Sequence, residues 1–163
     1  MTATRIVFDA SALLALVPGP GEDPDLLVRS MLHLHGLFEV VAPSLLASEL
    51  GNVIHRNRDG GYGKGGREQE RLLRYLLEDV RLEPMDAEGA ARAFRLAAAH
   101  RLTAYDAAYL ELAARDDRTP LVTEDKRLFR AAAKALGEHR AYDTRPLQRI
   151  EDPYFSRYYH ADR

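Results

Sequence analysis

The sequence predicts one α/β domain in three layers, with helices on both faces of a mostly parallel sheet. Short apolar runs alternate with longer segments whose apolar residues recur at helical spacing, which is typical of repeated strand–helix units. The first run, Ile6–Phe8, is continuously apolar, as in a parallel strand that is covered on both faces. A chain of 163 residues can bury one hydrophobic core, and no internal repeat divides it.

Composition narrows the classes of function. Apolar residues make up 46% and charged residues 29% of the chain, which favours a globular domain over a disordered one. The formal net charge of −2 gives no overall basic field, so any surface for nucleic acid must be local. The absence of cysteine excludes disulfides, thiolate catalysis and cysteine-based zinc sites. Because the N-terminus has no signal pattern and no apolar run reaches about 18 residues, we expect a soluble cytoplasmic protein without a membrane partner.

The N-terminal half alternates strands and helices. We expect a strand that ends at Asp9 and a helix that starts near Ser11, followed by a loop rich in proline, glycine and acids. The next expected elements are a helix from near Pro24 to Gly36, a strand at 37–41, a helix from Pro43 to about Arg58 and a glycine-rich loop at 59–66.

The C-terminal half continues the same alternation, and Asp86 and Thr103 are suited to cap two of its helices. The expected elements are helices at 67–79, 87–100, 104–115 and 125–137 and extended segments at 80–83, 120–123 and 140–144. The domain is expected to span residues 1–145. A tail at 146–163, which carries four aromatic residues, packs either on this domain or on a partner.

Four acidic residues stand where these elements would bring them to one edge of the sheet. Asp9 ends the first strand, and Asp125 closely follows the strand at 120–123. Glu49 interrupts the apolar stripe of one helix, and Asp106 lies in the first turn of another. Ligands of such sheets bind beyond the carboxyl ends of the strands. Buried carboxylates are costly unless they are paired or bind a metal, and an oxygen-loving cation such as Mg²⁺ or Mn²⁺ is their natural partner.

Each acid also has a purely structural interpretation. Asp9 or Ser11 can cap the helix that follows. Asp106 comes three residues after Thr103, as in a capping box, and its charge suits a helix N-terminus. Asp125 can likewise be a first-turn acid. Glu49 is hardest to explain in this way, because a charge on a core-facing stripe needs a partner.

Four short motifs follow one another over about residues 5–136. They are VFDASALL from Val7, PSLLASELGN from Pro43, LTAYDAAYL from Leu102 and LVTEDKRL from Leu121. Together these motifs resemble those of PIN-domain ribonucleases, in particular the VapC toxins of toxin–antitoxin pairs. The resemblance implies a PIN-like α/β/α domain that acts as a Mg²⁺- or Mn²⁺-dependent endoribonuclease, a hydrolase. It also implies a homodimer that is inhibited by a small antitoxin protein. The tail after about Arg145 departs from the compact family pattern.

The resemblance also assigns roles to residues. The matching positions of the acidic catalytic and metal-binding quartet are Asp9, Glu49, Asp106 and Asp125, and the polar accessory positions are Ser11, Asn52 and Thr123. We expect Asp9 and Asp106 to be direct metal ligands. Glu49 and Asp125 would bind through water or position the attacking water.

A basic cluster beside the glycine-rich loop is the expected surface for the RNA substrate. Arginine and lysine can hold phosphates, and an aromatic ring can stack on a base. Alternatively, the cluster is a solvated helix face, since some of its arginines alternate with Glu68 and Glu70. The predicted RNA-binding residues are Arg56, Arg58, Lys64, Arg67 and Tyr62, with His55, Arg71 and Arg74 nearby.

Two other functions fit parts of the pattern. A phosphatase could use Asp9 as its nucleophile, but that chemistry calls for a second acid two residues later, where this chain has Ser11. A catalytically inactive PIN-like binding module would not need all four acids. The sequence therefore favours the nuclease.

Overall fold

In the described part of the chain, the central sheet has five strands, all parallel, in the order β3-β2-β1-β4-β5. The structure is a computed structural model that describes residues 4–19, 21–23, 25–57 and 61–145, without the side chains of residues 29 and 33. The strands are β1 (Thr4–Phe8), β2 (Phe38–Pro43), β3 (Arg81–Glu83), β4 (Leu121–Val122) and β5 (Ala141–Tyr142).

Helices connect these strands and cover the sheet, as the sequence predicted. They are α1 (Ala10–Ala15), α2 (Leu26–Leu37), α3 (Leu45–Arg56), α4 (Gly66–Leu77), α5 (Ala87–His100), α6 (Ala104–Ala114) and α7 (Lys126–Leu136), and one 3-10 turn follows at Glu138–Arg140. The predicted α/β class with its mostly parallel sheet is confirmed. No helix among the described residues is long and apolar enough to cross a membrane.

The strand order places a crevice next to β1. The chain runs from β1 outward through β2 to β3, and then returns to place β4 on the other side of β1, with β5 beyond it. Phe8 pairs with Val122 at the carboxyl ends of β1 and β4, and the Asp9 amide donates to the Val122 carbonyl at 3.2 Å. Connections leave this point in opposite directions, and such a switch point is where open α/β sheets bind their ligands.

Helix α6 lies at the centre of the domain. It packs against α5, α7 and the sheet, and every residue from Ala107 to Ala113 is buried. One of these residues is charged: Glu111, which pairs with Arg92 and Arg115 at 2.9 Å each. Because α6 packs against α5, α7 and the sheet, the position of its first turn at the crevice is well defined.

Element boundaries differ from the prediction by a few residues. Pro43 ends β2 rather than opening α3, and the two C-terminal strands each shorten to a pair of residues. The predicted cap Asp86 accepts the Gly89 amide at 2.7 Å, and Gly137 ends α7 with a φ of 100° that glycine adopts readily. The predicted tail at 146–163 lies outside the described residues.

Candidate active site

Asp9 sits at the centre of the crevice, where β1 gives way to α1. Its side chain is only 5% exposed and caps α1 by accepting the Ala12 amide at 2.8 Å. The two predicted accessory hydroxyls hold the same carboxylate: Ser11 Oγ donates at 2.7 Å, and Thr123 Oγ1 donates from the end of β4 at 2.5 Å. Burial raises the pKa of Asp9, an effect that these hydrogen bonds oppose and the charge of Asp125 reinforces.

Glu49 faces Asp9 from α3. The Tyr109 hydroxyl, on α6, donates a hydrogen bond to Glu49 Oε2. Burial raises the pKa of Glu49 above its usual range, the Tyr109 hydrogen bond opposes this, and the negative charges of Asp9 and Asp106 raise it further. Burial and the neighbouring Glu49 carboxylate also raise the pKa of Tyr109 strongly, so this phenol stays protonated and remains a donor.

Asp106 combines the two roles that the sequence left open. Its amide donates to Thr103 Oγ1 at 3.1 Å, and Thr103 Oγ1 donates to Asp106 Oδ2 at 2.7 Å, so the pair caps α6. Asp106 also lines the crevice, and its charge reaches Glu49. The capping interpretation is therefore confirmed without excluding a role in the site.

Asp125 shows the same combination at the start of α7. Its Oδ1 accepts the amides of Arg127 at 2.7 Å and Leu128 at 2.9 Å, which caps the helix. Its own amide donates to Thr123 Oγ1 at 3.0 Å, so the hydroxyl that holds Asp9 also fixes the turn that carries Asp125.

These residues surround one cleft of about 840 Å³ at the carboxyl edge of the sheet. The residues on its walls include Asp9, Ser11, Glu49, Asn52, Tyr62, Tyr105, Asp106, Tyr109, Glu124 and Asp125. Among the described residues, none that lines this cleft is lysine, arginine or histidine. The structure thus brings the four predicted acids to a common cleft, and no basic side chain in the described part of the chain lines it.

The cleft suits a hydrated divalent cation better than a dehydrated one. Within residues 4–19, 21–23, 25–57 and 61–145, no three side chains of Asp, Glu or His are close enough to form a metal cage. Mg²⁺ does not require such a cage, because it usually binds one or two carboxylates and keeps several waters. Burial is the main reason that the pKa values of Asp9 and Glu49 are raised, and neighbouring negative charge raises them further; a bound cation would oppose both effects.

The predicted RNA-binding residues lie less close together than the acids. Tyr62 lines the cleft. Arg56 is exposed at the C-terminal end of α3, and Lys64 and Arg67 are exposed at the N-terminal end of α4, but none of the three lines the cleft. Arg58 lies outside the described residues. Sequence analysis did not select Tyr109. Its position three residues after Asp106, on the same side of α6, was the available signal.

Glu124 is another residue of the cleft that sequence analysis did not select. Its amide donates to Ser11 Oγ at 3.0 Å. Its carboxylate accepts the amide and hydroxyl of Thr144, both at 2.6 Å, and so ties the end of β4 to the chain after β5. Pairing with a residue 20 positions away has no local signature in the sequence.

The acidic cleft lies at the switch point of a parallel sheet, where sheets of this kind bind their ligands. The family model of the PIN domain matches residues 6–135, and the chain therefore belongs to the PIN-domain family. PIN domains are in general nucleases, act on nucleic acid and use divalent metal ions, so the chain belongs to a class of hydrolases.

A solved structure shares the fold. The crystal structure of PAE2754 from Pyrobaculum aerophilum aligns with a TM-score of 0.66 and 24% identity, over 89% of this chain and 87% of that one. No curated protein matches the chain significantly.

Proposed function

We propose that the chain is a Mg²⁺- or Mn²⁺-dependent endoribonuclease that hydrolyses RNA phosphodiester bonds. The observation that carries the proposal is the cleft that Asp9, Glu49, Asp106 and Asp125 all line, without a neutralising basic side chain among the described residues. We further propose that it is the toxin of a VapC-type toxin–antitoxin pair, a cytoplasmic homodimer inhibited by a small antitoxin. The resemblance of its four motifs to those of VapC toxins supports this assignment.

The four carboxylates would have different roles in the site. Asp9 and Asp106 would hold the cation directly, and Glu49 and Asp125 would hold it through water or position the attacking water. When bound, a divalent cation lowers the pKa of water and stabilises the charge that develops on the phosphate. Ser11 and Thr123 fix the orientation of Asp9, so this carboxylate is positioned before the substrate arrives.

Glu49 is suited to accept a proton. Its pKa is raised toward the operating pH, which improves a carboxylate as a general base. Tyr109 occupies Oε2, so Oε1 is the atom that would take the proton from the attacking water. Tyr109 thus acts as a positioning residue, since it contacts Glu49 and orients it.

The basic surface near α3 and α4 would hold the RNA. Arg56, Arg58, Lys64 and Arg67 would bind phosphates, and Tyr62, on the wall of the cleft, would stack on a base close to the scissile bond. Asn52 lines the cleft on the same side and would contribute an amide to the substrate or to bound water.

Cleavage of an internally labelled RNA with EDTA, Mg²⁺ or Mn²⁺ tests the proposal. We expect internal cleavage that requires the metal and is abolished by Asp9→Asn or Asp106→Asn. Asp117→Asn is the matched control, because it removes the same charge from an exposed position outside the cleft. Release of terminal phosphate alone would indicate a phosphatase, and absence of metal-dependent turnover would indicate an inactive binding module.

The toxin assignment has a separate test in cells. Expression of the wild-type chain in bacteria should arrest growth, and Asp9→Asn should relieve the arrest. Co-expression of a small DNA-binding protein encoded immediately upstream should also relieve it. Normal growth with an enzyme that is active in vitro would contradict the toxin role and leave the nuclease assignment intact.

A further inference from the structure

A second groove lies between the C-terminal end of α5 and one face of α7. It has a volume of about 840 Å³. Its walls carry five basic side chains, His100, Arg101, Arg127, Arg130 and Lys134, and two alanines provide the space between them. Both walls are close in sequence to acids of the cleft, because Arg101 comes five residues before Asp106 and Arg127 comes two residues after Asp125.

The basic side chains of this groove have no acidic partner in the part of the chain that the structure describes. Among the described residues, none of its five basic side chains forms an ion pair, and no acid lines it. Arginines elsewhere, such as Arg81, Arg92 and Arg115, pair with glutamates. In a chain whose formal net charge is −2, the result is a local positive potential beside a negative cleft.

The basic side chains of the two walls are positioned in different ways. Arg127, Arg130 and Lys134 are spaced by three and four residues, which places them on one face of α7. Arg101 ends α5 in the left-handed conformation, with φ 55° and ψ 43°, where glycine is the usual residue. Because the backbone there favours glycine, the fold does not explain an arginine at this position, whereas a function for its side chain does.

We infer that this groove, on α5 and α7, binds the phosphate backbone of the RNA substrate beyond the cleft. The inference rests on the proposed nuclease function. An acidic cleft repels a polyanion, so the RNA needs cationic surfaces on either side of the scissile bond. Tyr105 favours single-stranded nucleic acid over an acidic protein, because this aromatic is 63% exposed on the rim of the cleft, four residues from Arg101.

Salt-dependent binding of a fluorescent single-stranded RNA tests the inference. All proteins carry Asp9→Asn to prevent cleavage. The groove variant replaces Arg127, Arg130 and Lys134 by glutamine, and a control removes the same charge at exposed positions outside both sites: Arg81, Arg95 and Arg118.

The groove variant should lose affinity, and the slope of log K against log salt should become shallower by about 2, at about 0.7 per lost phosphate contact. The control should keep the slope of its parent. An unchanged slope in the groove variant would overturn the inference. The groove would then be a candidate binding surface for an acidic protein instead of RNA.

Arg101→Gly separates binding from folding. Glycine adopts the left-handed conformation more easily than arginine, so this variant should melt at or above the temperature of its parent. Its RNA affinity should nevertheless fall several-fold. A variant that binds RNA as its parent does would remove Arg101 from the interface and contradict the two-walled groove.

Cleavage by the otherwise wild-type protein distinguishes the two proposals. Metal-dependent cleavage together with an unchanged slope would refute the groove alone. Groove-dependent RNA binding without any cleavage in Mn²⁺ would refute the nuclease alone, and would establish the groove as the nucleic-acid interface of a binding module.

Discussion

Asp106→Asn separates the structural role of Asp106 from its proposed role in metal binding. The side chain accepts a hydrogen bond from Thr103 at 2.7 Å in the cap of α6, and it also lines the cleft near Glu49. Asparagine keeps the shape and an acceptor oxygen, so the cap survives in part. The negative charge disappears, and with it both the repulsion of Glu49 and the attraction for a cation.

The expected changes are large enough to measure. Mn²⁺ at 100 times its dissociation constant would stabilise the wild type by about 2.7 kcal/mol. For a chain of 163 residues, this corresponds to an increase in Tm of about 5–11 °C, at about 2–4 °C per kcal/mol. Loss of a helix-terminus charge costs about 0.3–1 kcal/mol, or at most about 4 °C. Relief of the repulsion with Glu49 opposes that loss.

Thermal melts in EDTA and in a Mn²⁺ series provide the assay. Without metal, we expect Asp106→Asn to melt within about 4 °C of the wild type, and the increase with Mn²⁺ to be greatly reduced. Thr103→Ala is the matched control: it removes the cap at a cost of about 1 kcal/mol and leaves the carboxylate in the cleft, so its response to Mn²⁺ should remain.

One outcome would refute this interpretation of Asp106. If Asp106→Asn is destabilised in EDTA as Thr103→Ala is, and both keep the full increase in Tm with Mn²⁺, then Asp106 is only a cap. The metal-binding proposal would then rest on Asp9 and Glu49, with Asp125 as an outer ligand.

Three further changes test other parts of the molecule. Replacing both Arg56 and Arg67 by alanine should weaken RNA binding and make its salt slope shallower by about 1.4; an unchanged slope would remove the α3–α4 surface from the RNA path. The buried Arg140 donates hydrogen bonds to three backbone carbonyls. Arg140→Met should therefore lower the free energy of unfolding, measured in urea, by at least about 1–3 kcal/mol. The control Arg118→Met, at an exposed position, should change it by under about 0.5 kcal/mol. Burial lowers the pKa of His35 below 6.5. Just below that pH, the unfolded state therefore binds more protons than the folded state, and the wild type loses stability as the pH falls. Urea titrations from about pH 5 to pH 8 should show less of this loss in His35→Leu, and parallel curves would contradict it.

Local signals explain why most elements could be predicted. The helix caps Asp86 and Thr103 and the terminating Gly137 act within a few residues, and all three lie where the sequence placed them. The strands β4 and β5 were predicted too long. The residues next to β4 and β5 also have a sequence pattern typical of strands. The length of a strand, however, depends on how far it hydrogen-bonds with its neighbour in the sheet, which is distant in sequence.

The same distinction applies to the cleft and the groove. Asp9 and Asp125 follow strand ends and Asp106 starts a helix, so periodicity alone placed them at one edge. The Tyr109–Glu49 hydrogen bond spans 60 positions and leaves no local pattern. The sequence also drew attention to basic residues that are close together between 55 and 74. The α5–α7 groove gathers its charges from segments 26 positions apart, which only the packing of the helices brings together.

Two of the four acids, Asp9 and Asp125, cap helices, and a third, Asp106, lies in the first turn of α6. This arrangement shows why a cap and a catalytic group need not compete. The N-terminal amides of α1 and α7 hold the carboxylates of Asp9 and Asp125, and Thr103 holds Asp106 at the start of α6. A carboxylate that is oriented by its own helix needs few other partners to keep its geometry, and the amides partly stabilise its charge before a cation binds. Asparagine caps a helix about as well as aspartate. At the cap positions of Asp9 and Asp125, we therefore expect helix stability to depend mainly on the shape of the side chain, whereas the proposed chemistry depends on its charge.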